Sequence, residues 1–200
     1  MGSLGAVLLA AGASTRMKSV KQLLPWKNST LLEHSIEQLN HCEIDSLAVV
    51  LGANEKQIRE KVTFDGVDVV VNPDWEKGMA TSIASGVGFL VEKMPDIQFV
   101  LVALVDQPLL LSSYYNDLIN KSLDVENKIV ASAYSGQIGV PAIFERDYFD
   151  NLLNLEGREG ARALLRGGSV KVMTVNAGEL AVDLDTKESY KRIYELHGRL

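Results

Sequence analysis

Only one cysteine, Cys42, occurs among the 200 residues, so neither an intramolecular disulfide nor a cysteine-built zinc site can form within the chain. Cys42 itself reads as a small, semi-buried hydrophobe rather than a reactive thiol. Histidine is nearly as scarce. His34, His41 and His197 lack metal-ligand spacing, and no Ser/His/Asp or Cys/His grouping suggests nucleophilic catalysis. No apolar run approaches the roughly 18 residues of a membrane span. No basic segment leads into a long apolar core at the N-terminus, so no signal peptide is expected and the cytoplasm is the default. Positive charge is in the minority: 20 Lys and Arg against 26 Asp and Glu give −6, which argues against general affinity for nucleic acid or anionic membrane. Internal repeats, low-complexity tracts and Pro/Gly-rich linkers are also lacking. With 46% hydrophobic residues, the chain fits one domain over 1–200.

What is present is a series of short apolar runs rich in β-branched residues, at 6–10, 47–51, 67–71, 99–105, 129–133, 142–144 and 170–175. They lack polar alternation, as expected of strands covered on both faces. Helical patterns lie between them. Thr30 and Glu33 have capping-box spacing ahead of Leu32, Ile36 and Leu39. Ile83, Val87, Leu90, Val91 and Met94 form a second stripe, Tyr115, Leu118, Ile119 and Ser122 a third, and residues 161–165 a fourth. A last helix is expected at about 187–196. This alternation predicts an α/β fold with a mostly parallel sheet between helical layers. Ligands in such sheets gather beyond the C-terminal strand ends, here 10–12, 72–73 and 105–106.

The first of these ends, "LLAAGASTRMKSVKQLLPW", is neither a P-loop nor a dinucleotide-binding fingerprint. A small-residue turn there can aim backbone N–H groups at an anion, with Arg16 and Lys21 neutralising phosphate charge. The plainer alternative is a surface turn with solvated cations. In "ALVDQPLL", a hydrophobic strand delivers Asp106 to its end. A carboxylate there calls for a cation, and Mg²⁺ suits one or two carboxylates with phosphate oxygens; a simple turn cap is the alternative. Asp183 and Asp185 in "AVDLDTKESY" point the same way if that segment is extended, one as a second metal ligand and the other as a helix cap. In "EKGMATSIASGVG", Gly78, Met79 and Ser82 stand at a helix start whose small residues serve either a base and ribose or tight helix–sheet packing. Gly136, Gly139 and Pro141 read as a loop re-entering a short strand. Gly157, Arg158, Gly160 and Arg162 read as a helix start open to an anion, or as a plain turn.

Taken together, "LLAAGASTRM…KQLLPW", "GMATSIASG", "VDQP", "GQIGVPAIF", "EGREGARALL" and "DLDT" resemble, in order and over nearly the whole chain, the motifs of MobA-like nucleotidyltransferases, most closely the molybdenum cofactor cytidylyltransferase branch. The resemblance implies a three-layer α/β/α sandwich around a mixed, mainly parallel sheet, as in nucleotide-diphospho-sugar transferases. It implies transfer of CMP from CTP to the phosphate of molybdopterin, with release of pyrophosphate and with Mg²⁺ as cofactor. On this basis the loop of Ala10, Ala11, Gly12, Ser14, Arg16 and Lys21 would hold the triphosphate, and Gly78, Met79 and Ser82 would border the base and ribose. Asp106 would bind Mg²⁺ with Asp183 or Asp185. Gly139, Pro141, Gly160 and Arg162 would face the pterin-type acceptor, and a molybdoenzyme would receive the product. Ala11 in "LAAG", where guanylyltransferases resemble "LAGG", favours CTP over GTP. Lys18, Arg158, Lys187 and Ser189 depart from the family pattern. The alternatives are a same-fold transferase acting on another phosphorylated metabolite, a non-catalytic nucleotide- or cofactor-binding chaperone, and an oxidoreductase using a flavin or nicotinamide in the same cleft.

Overall fold

Strands and helices alternate through a computed structural model that describes residues 2–124, 128–157, 159–166 and 171–199. In chain order they are β1 (Leu4–Leu9), the two-residue strands β2 (Pro25–Trp26) and β3 (Ser29–Thr30), α1 (Leu31–Asn40), β4 (Ser46–Leu51), α2 (Glu55–Arg59), β5 (Asp68–Val71) and α3 (Met79–Lys93). Next come β6 (Phe99–Leu104), α4 (Ser112–Ser122), β7 (Ile129–Tyr134), β8 (Gln137–Glu145), α5 (Phe149–Leu153), α6 (Arg162–Arg166), β9 (Val172–Asn176) and α7 (Lys187–Ile193). Val170, the first residue of the last expected strand, and Arg158 lie outside the described residues.

Among the described residues the main sheet has seven strands, in the order β5-β4-β1-β6-β8-β7-β9. Only β8 runs against the others: β1 pairs in parallel with β4 and β6, β4 with β5, and β7 with β9, while β6 and β7 both meet β8 antiparallel. This is the mixed, mainly parallel sheet expected. Side chains alternate across it as strand geometry requires. Leu4, Ala6 and Leu8 of β1 join a core with Leu32, Ile36 and Leu39 of α1 and Tyr115 and Leu118 of α4. Val7 and Leu9 join the opposite core with Ile83, Val87 and Leu90 of α3 and Leu152 of α5. A smaller cluster of Trp26, Leu31, Leu184 and Ile193 ties the β2–β3 ribbon to α7.

Local signals hold in detail. Thr30 Oγ1 accepts the Glu33 N–H at 3.2 Å while the Glu33 carboxylate accepts the Thr30 N–H at 2.9 Å. Gly86 sits inside α3 because a Cβ there would collide with Val7 and come within 2.9 Å of Val50, so this small residue serves helix–sheet packing. Two expectations change. Gly139 and Pro141 lie within β8, not in a loop; the hairpin turn is at Ser135 and Gly136, both with positive φ. The β7–β8 pairing steps from Ala131↔Ala142 to Ser132↔Gly139, leaving Val140 and Pro141 in a bulge where a residue without an N–H is tolerated. Neither Asp183 nor Asp185 caps α7. Thr186 does, accepting the Ser189 N–H at 3.1 Å while Ser189 Oγ accepts the Thr186 N–H at 3.1 Å.

Candidate active site

β1 and β6 end level, with Leu9 opposite Leu104, so the segments after them emerge side by side. The Val105 N–H donates to the Leu9 carbonyl, and the Ala10 N–H donates to Val50 of β4. Beyond β5, the buried Asn72 donates to Thr81 Oγ1 and Ser82 Oγ, both at 2.9 Å, and so ties the start of α3 to the same edge. The three strand ends thus meet around one depression.

This depression consists of two clefts. The first, about 380 Å³, is lined by Ala10–Ala13, Lys21, Gln22, Trp75, Gly78, Met79, Ser82 and Asp106, among others. The second, about 250 Å³, includes Arg16, Tyr134, Val140, Arg162, Asp183 and Asp185 in its walls. Met79, Leu104 and Asp106 belong to both.

A ladder of charge stands where the clefts join. Lys21 Nζ donates to Asp106 Oδ2 at 2.7 Å and to Asp185 Oδ1 at 3.1 Å; Arg16 Nη2 donates to Asp185 Oδ2 at 2.8 Å. Burial alone would lower the Lys21 pKa, but Asp106 and Asp185 outweigh it and hold the ammonium above the ordinary lysine range. Burial likewise opposes ionisation of Asp185, yet Lys21 and then Arg16 bring its pKa below the usual carboxylate value. Asp183 differs: burial, reinforced by the nearby Asp106 charge, pushes its pKa up, against a 2.9 Å hydrogen bond from Gln107 Nε2. The two aspartates flank Leu184, whose N–H donates to the Asp106 carbonyl at 2.9 Å.

Asp106 Oδ1 is buried, and among the described residues it has no hydrogen-bond partner. A buried carboxylate oxygen with free lone pairs beside an open cleft fits a hard divalent cation. Among the described residues, however, no three His, Cys, Asp or Glu form a ready-made metal cluster; the Lys21 ammonium bridges Asp106 and Asp185 instead.

Not every expected residue reaches the clefts. Ser14, in left-handed backbone, faces the loop: its Oγ accepts the Lys21 N–H at 3.2 Å. Arg16 is on the second cleft rather than the first, with its side chain 68% exposed. Gly139 leaves room for Tyr134, whose hydroxyl a Cβ would meet at 2.5 Å, and Pro141 turns its carbonyl to Ser132. Gly160, at φ +58, packs against Met79. Lys18 is exposed at φ +52, a left-handed position in which glycine is at ease. Sequence reasoning missed Gln22, Trp75 and Tyr134, and it placed Asn72 at the ligand edge without giving it a role. For Gln22 and Asn72 a signal existed: each is a lone amide set beside an apolar run.

The MobA-like NTP transferase domain matches residues 6–173. Over 94% of both chains, the sequence is 31% identical to nicotine blue oxidoreductase of Paenarthrobacter nicotinovorans and 30% identical to purine catabolism protein PucB of Bacillus subtilis. It is 26% identical to molybdenum cofactor cytidylyltransferase of Escherichia coli over 95% of both. Among solved structures, that of the Rv0371c homologue from Mycobacterium sp. strain JC1 superposes with a TM-score of 0.86 at 30% identity, covering 96% of each chain. The manganese complex of Rv0371c from Mycobacterium tuberculosis superposes with a TM-score of 0.82 at 27% identity, covering 97% of this chain and 98% of that one.

Proposed function

Because the chain belongs to the MobA-like NTP transferase family, we propose that it is a cytoplasmic cytidylyltransferase, one domain throughout, that moves CMP from CTP to the phosphate of molybdopterin and releases pyrophosphate. The observation that carries this reading is the Lys21–Asp106–Asp185 ladder at the junction of two clefts. Two substrates must meet at one phosphorus, and phosphoryl-type transfer relies on positioning and charge neutralisation rather than a covalent nucleophile.

CTP takes the first cleft, its triphosphate along Ala10–Ala13 and Lys21 and its base and ribose near Gly78, Met79 and Ser82. The acceptor takes the second, against Arg162 and within reach of Arg16. An oxygen of the acceptor phosphate forms the new bond to the α-phosphorus, and the bond from that phosphorus to the leaving pyrophosphate breaks. The attacking oxygen is already ionised near neutral pH, so no general base is needed. Lys21 stays cationic because its carboxylate partners raise its pKa. Asp106, with its unpartnered Oδ1, and Asp183 or Asp185 would hold Mg²⁺, which when bound neutralises phosphate charge. A molybdoenzyme is the proposed recipient of the product. Ala11, 6% exposed, lines the first cleft, and its methyl supports a pyrimidine over a purine there.

The 31% identity to nicotine blue oxidoreductase favours a second reading, an oxidoreductase using a flavin or nicotinamide in the same cleft. One assay separates the two: pyrophosphate release from CTP, GTP and ATP with Mg²⁺ and acceptors that include molybdopterin. Release from CTP with molybdopterin is expected. Tight nucleotide binding without turnover on any acceptor overturns the transferase reading.

A further inference from the structure

We propose that Gln22 is a positioning residue that locks the backbone of residues 10–13 into an anion-binding shape; this rests on the first cleft being the nucleotide site. Gln22 is 1% exposed, and its single amide group reaches two carbonyls of the loop. Nε2 donates to Ala10 O at 2.6 Å and to Gly12 O at 3.0 Å. Two carbonyl acceptors dictate the orientation of the amide, since the flipped side chain would set its oxygen against theirs. Between them, the Ala11 carbonyl accepts the Ala53 N–H at 3.1 Å. Three successive carbonyls are therefore tied to the protein.

In a trans peptide the C=O and the following N–H point in opposite directions. Tying the Ala10 and Gly12 carbonyls to Gln22 thus turns the Ala11 and Ala13 N–H groups away from it, and the Ala53 contact does the same for Gly12. Among the described residues none of these three N–H groups meets an acceptor, and all three residues line the first cleft. Unpaired successive N–H groups in a small-residue turn bind anions. The clamp also reaches Lys21. Ser14 Oγ accepts the Lys21 N–H at 3.2 Å and lies 3.4 Å from Gln22 Oε1, so one buried amide sets both the loop and the root of its cation. Among the described residues no other side chain donates to these loop carbonyls. Without Gln22 the two carbonyls are free to rotate toward the cleft and present negative charge to a phosphate.

The test is calorimetric binding of CTP and of inorganic tripolyphosphate to the full chain and two variants. Gln22→Met keeps the length and removes both donors; Gln22→Glu keeps the shape and sets a carboxylate against two carbonyls. Gln22→Met is expected to weaken both probes by a similar factor, about tenfold, matching the loss of one hydrogen bond to a charged group. Gln22→Glu is expected to weaken them further and to recover as falling pH protonates the new carboxyl, which can then donate to Ala10 O. A merely structural role would lower the melting temperature but leave the affinity of the folded protein unchanged. Wild-type affinity for tripolyphosphate in both variants overturns the role of Gln22. A wild-type chain that binds neither probe overturns the nucleotide reading itself.

Discussion

Lys21 and Asp106 stand 85 positions apart in the chain, yet the Lys21 ammonium lies 2.7 Å from the Asp106 carboxylate, with both side chains largely buried. Breaking a buried pair leaves an uncompensated charge, a loss of about 3 kcal/mol. Lys21→Met should therefore lower the stability of the ligand-free protein by about that amount, with Asp106 and Asp185 left facing each other. It should also reduce turnover by roughly 10²- to 10³-fold, as the loss of one charge-stabilising donor does. Chemical denaturation and pyrophosphate release measure the two effects. A variant that loses stability but keeps turnover would place Lys21 outside the reaction.

Asp106→Asn retains the shape of the side chain and one oxygen to accept from Lys21, and Lys21 keeps its contact with Asp185. The fold should survive with little change in melting temperature. Turnover should fall by at least roughly a hundredfold, because the negative charge at the junction of the clefts is gone. In wild-type protein, chelation should abolish turnover, and added Mg²⁺ or Mn²⁺ should restore it. Full activity of Asp106→Asn, or of the wild type in chelator, sinks the metal role.

Gly86→Ala should destabilise the protein although alanine is the better helix former. The added methyl would meet Val7 of β1 and Val50 of β4, and overpacking of this kind costs about 1–3 kcal/mol. Thermal melting decides. A variant as stable as the wild type would mean that α3 can move off the sheet without cost.

The limits of legibility follow from the same contacts. β1, β4 and β6 announce themselves because a strand buried on both faces is an unbroken apolar run, and strand ends point to the ligand edge. Only the 142–144 end of β8 is legible, because Gly139 and Pro141 look like loop residues, and the bulge opposite Ala131 and Ser132 makes them tolerable in a strand. The five-residue helices α2 and α5 show no apolar period, whereas α6, equally short, is marked by the apolar residues at 161–165. In the site, Lys21, Asp106 and Asp185 stand out as charges at the ends of apolar runs. Which of them pair, and that Arg16 turns to the second cleft, depends on contacts more than 80 positions apart, which spacing does not encode.

Ala11→Gly tests the choice of base. Ala11 is nearly buried and lines the first cleft, so removing its methyl widens the wall there. One methyl in an apolar pocket is worth about tenfold in discrimination. The ratio of kcat/KM for GTP to that for CTP should rise by about that factor, measured with both nucleotides in competition. An unchanged ratio removes Ala11 from base selection.

The two aspartates around Leu184 should respond to pH with opposite signs. The pKa of Asp183 in the folded protein is raised, chiefly by burial and then by Asp106, so its ionised form is penalised by folding. Its contribution is most favourable below the ordinary carboxylate value of 3.8 and is lost as pH rises through the higher folded value. Asp185 is the reverse. Lys21 and Arg16 overcome its burial and depress its pKa, so it stabilises the fold above 3.8 and loses that effect as pH falls through the lower folded value. At neutral pH without metal, Asp183→Asn should raise the melting temperature, with the new amide oxygen still able to accept from Gln107, and the gain should shrink on acidification. Asp185→Asn should lower it, and that loss should also shrink toward low pH. The Asp185 side chain is 36% exposed, so solvent screening keeps its effect small, and added salt should reduce it further. Melting curves of both variants and the wild type between pH 3 and pH 8 (roughly the span over which shifted carboxylates titrate) measure the two differences. Shifts of the same sign at neutral pH would show that the two carboxylates share one environment, and would remove the basis for separating Asp183 from the Lys21–Asp185 ladder.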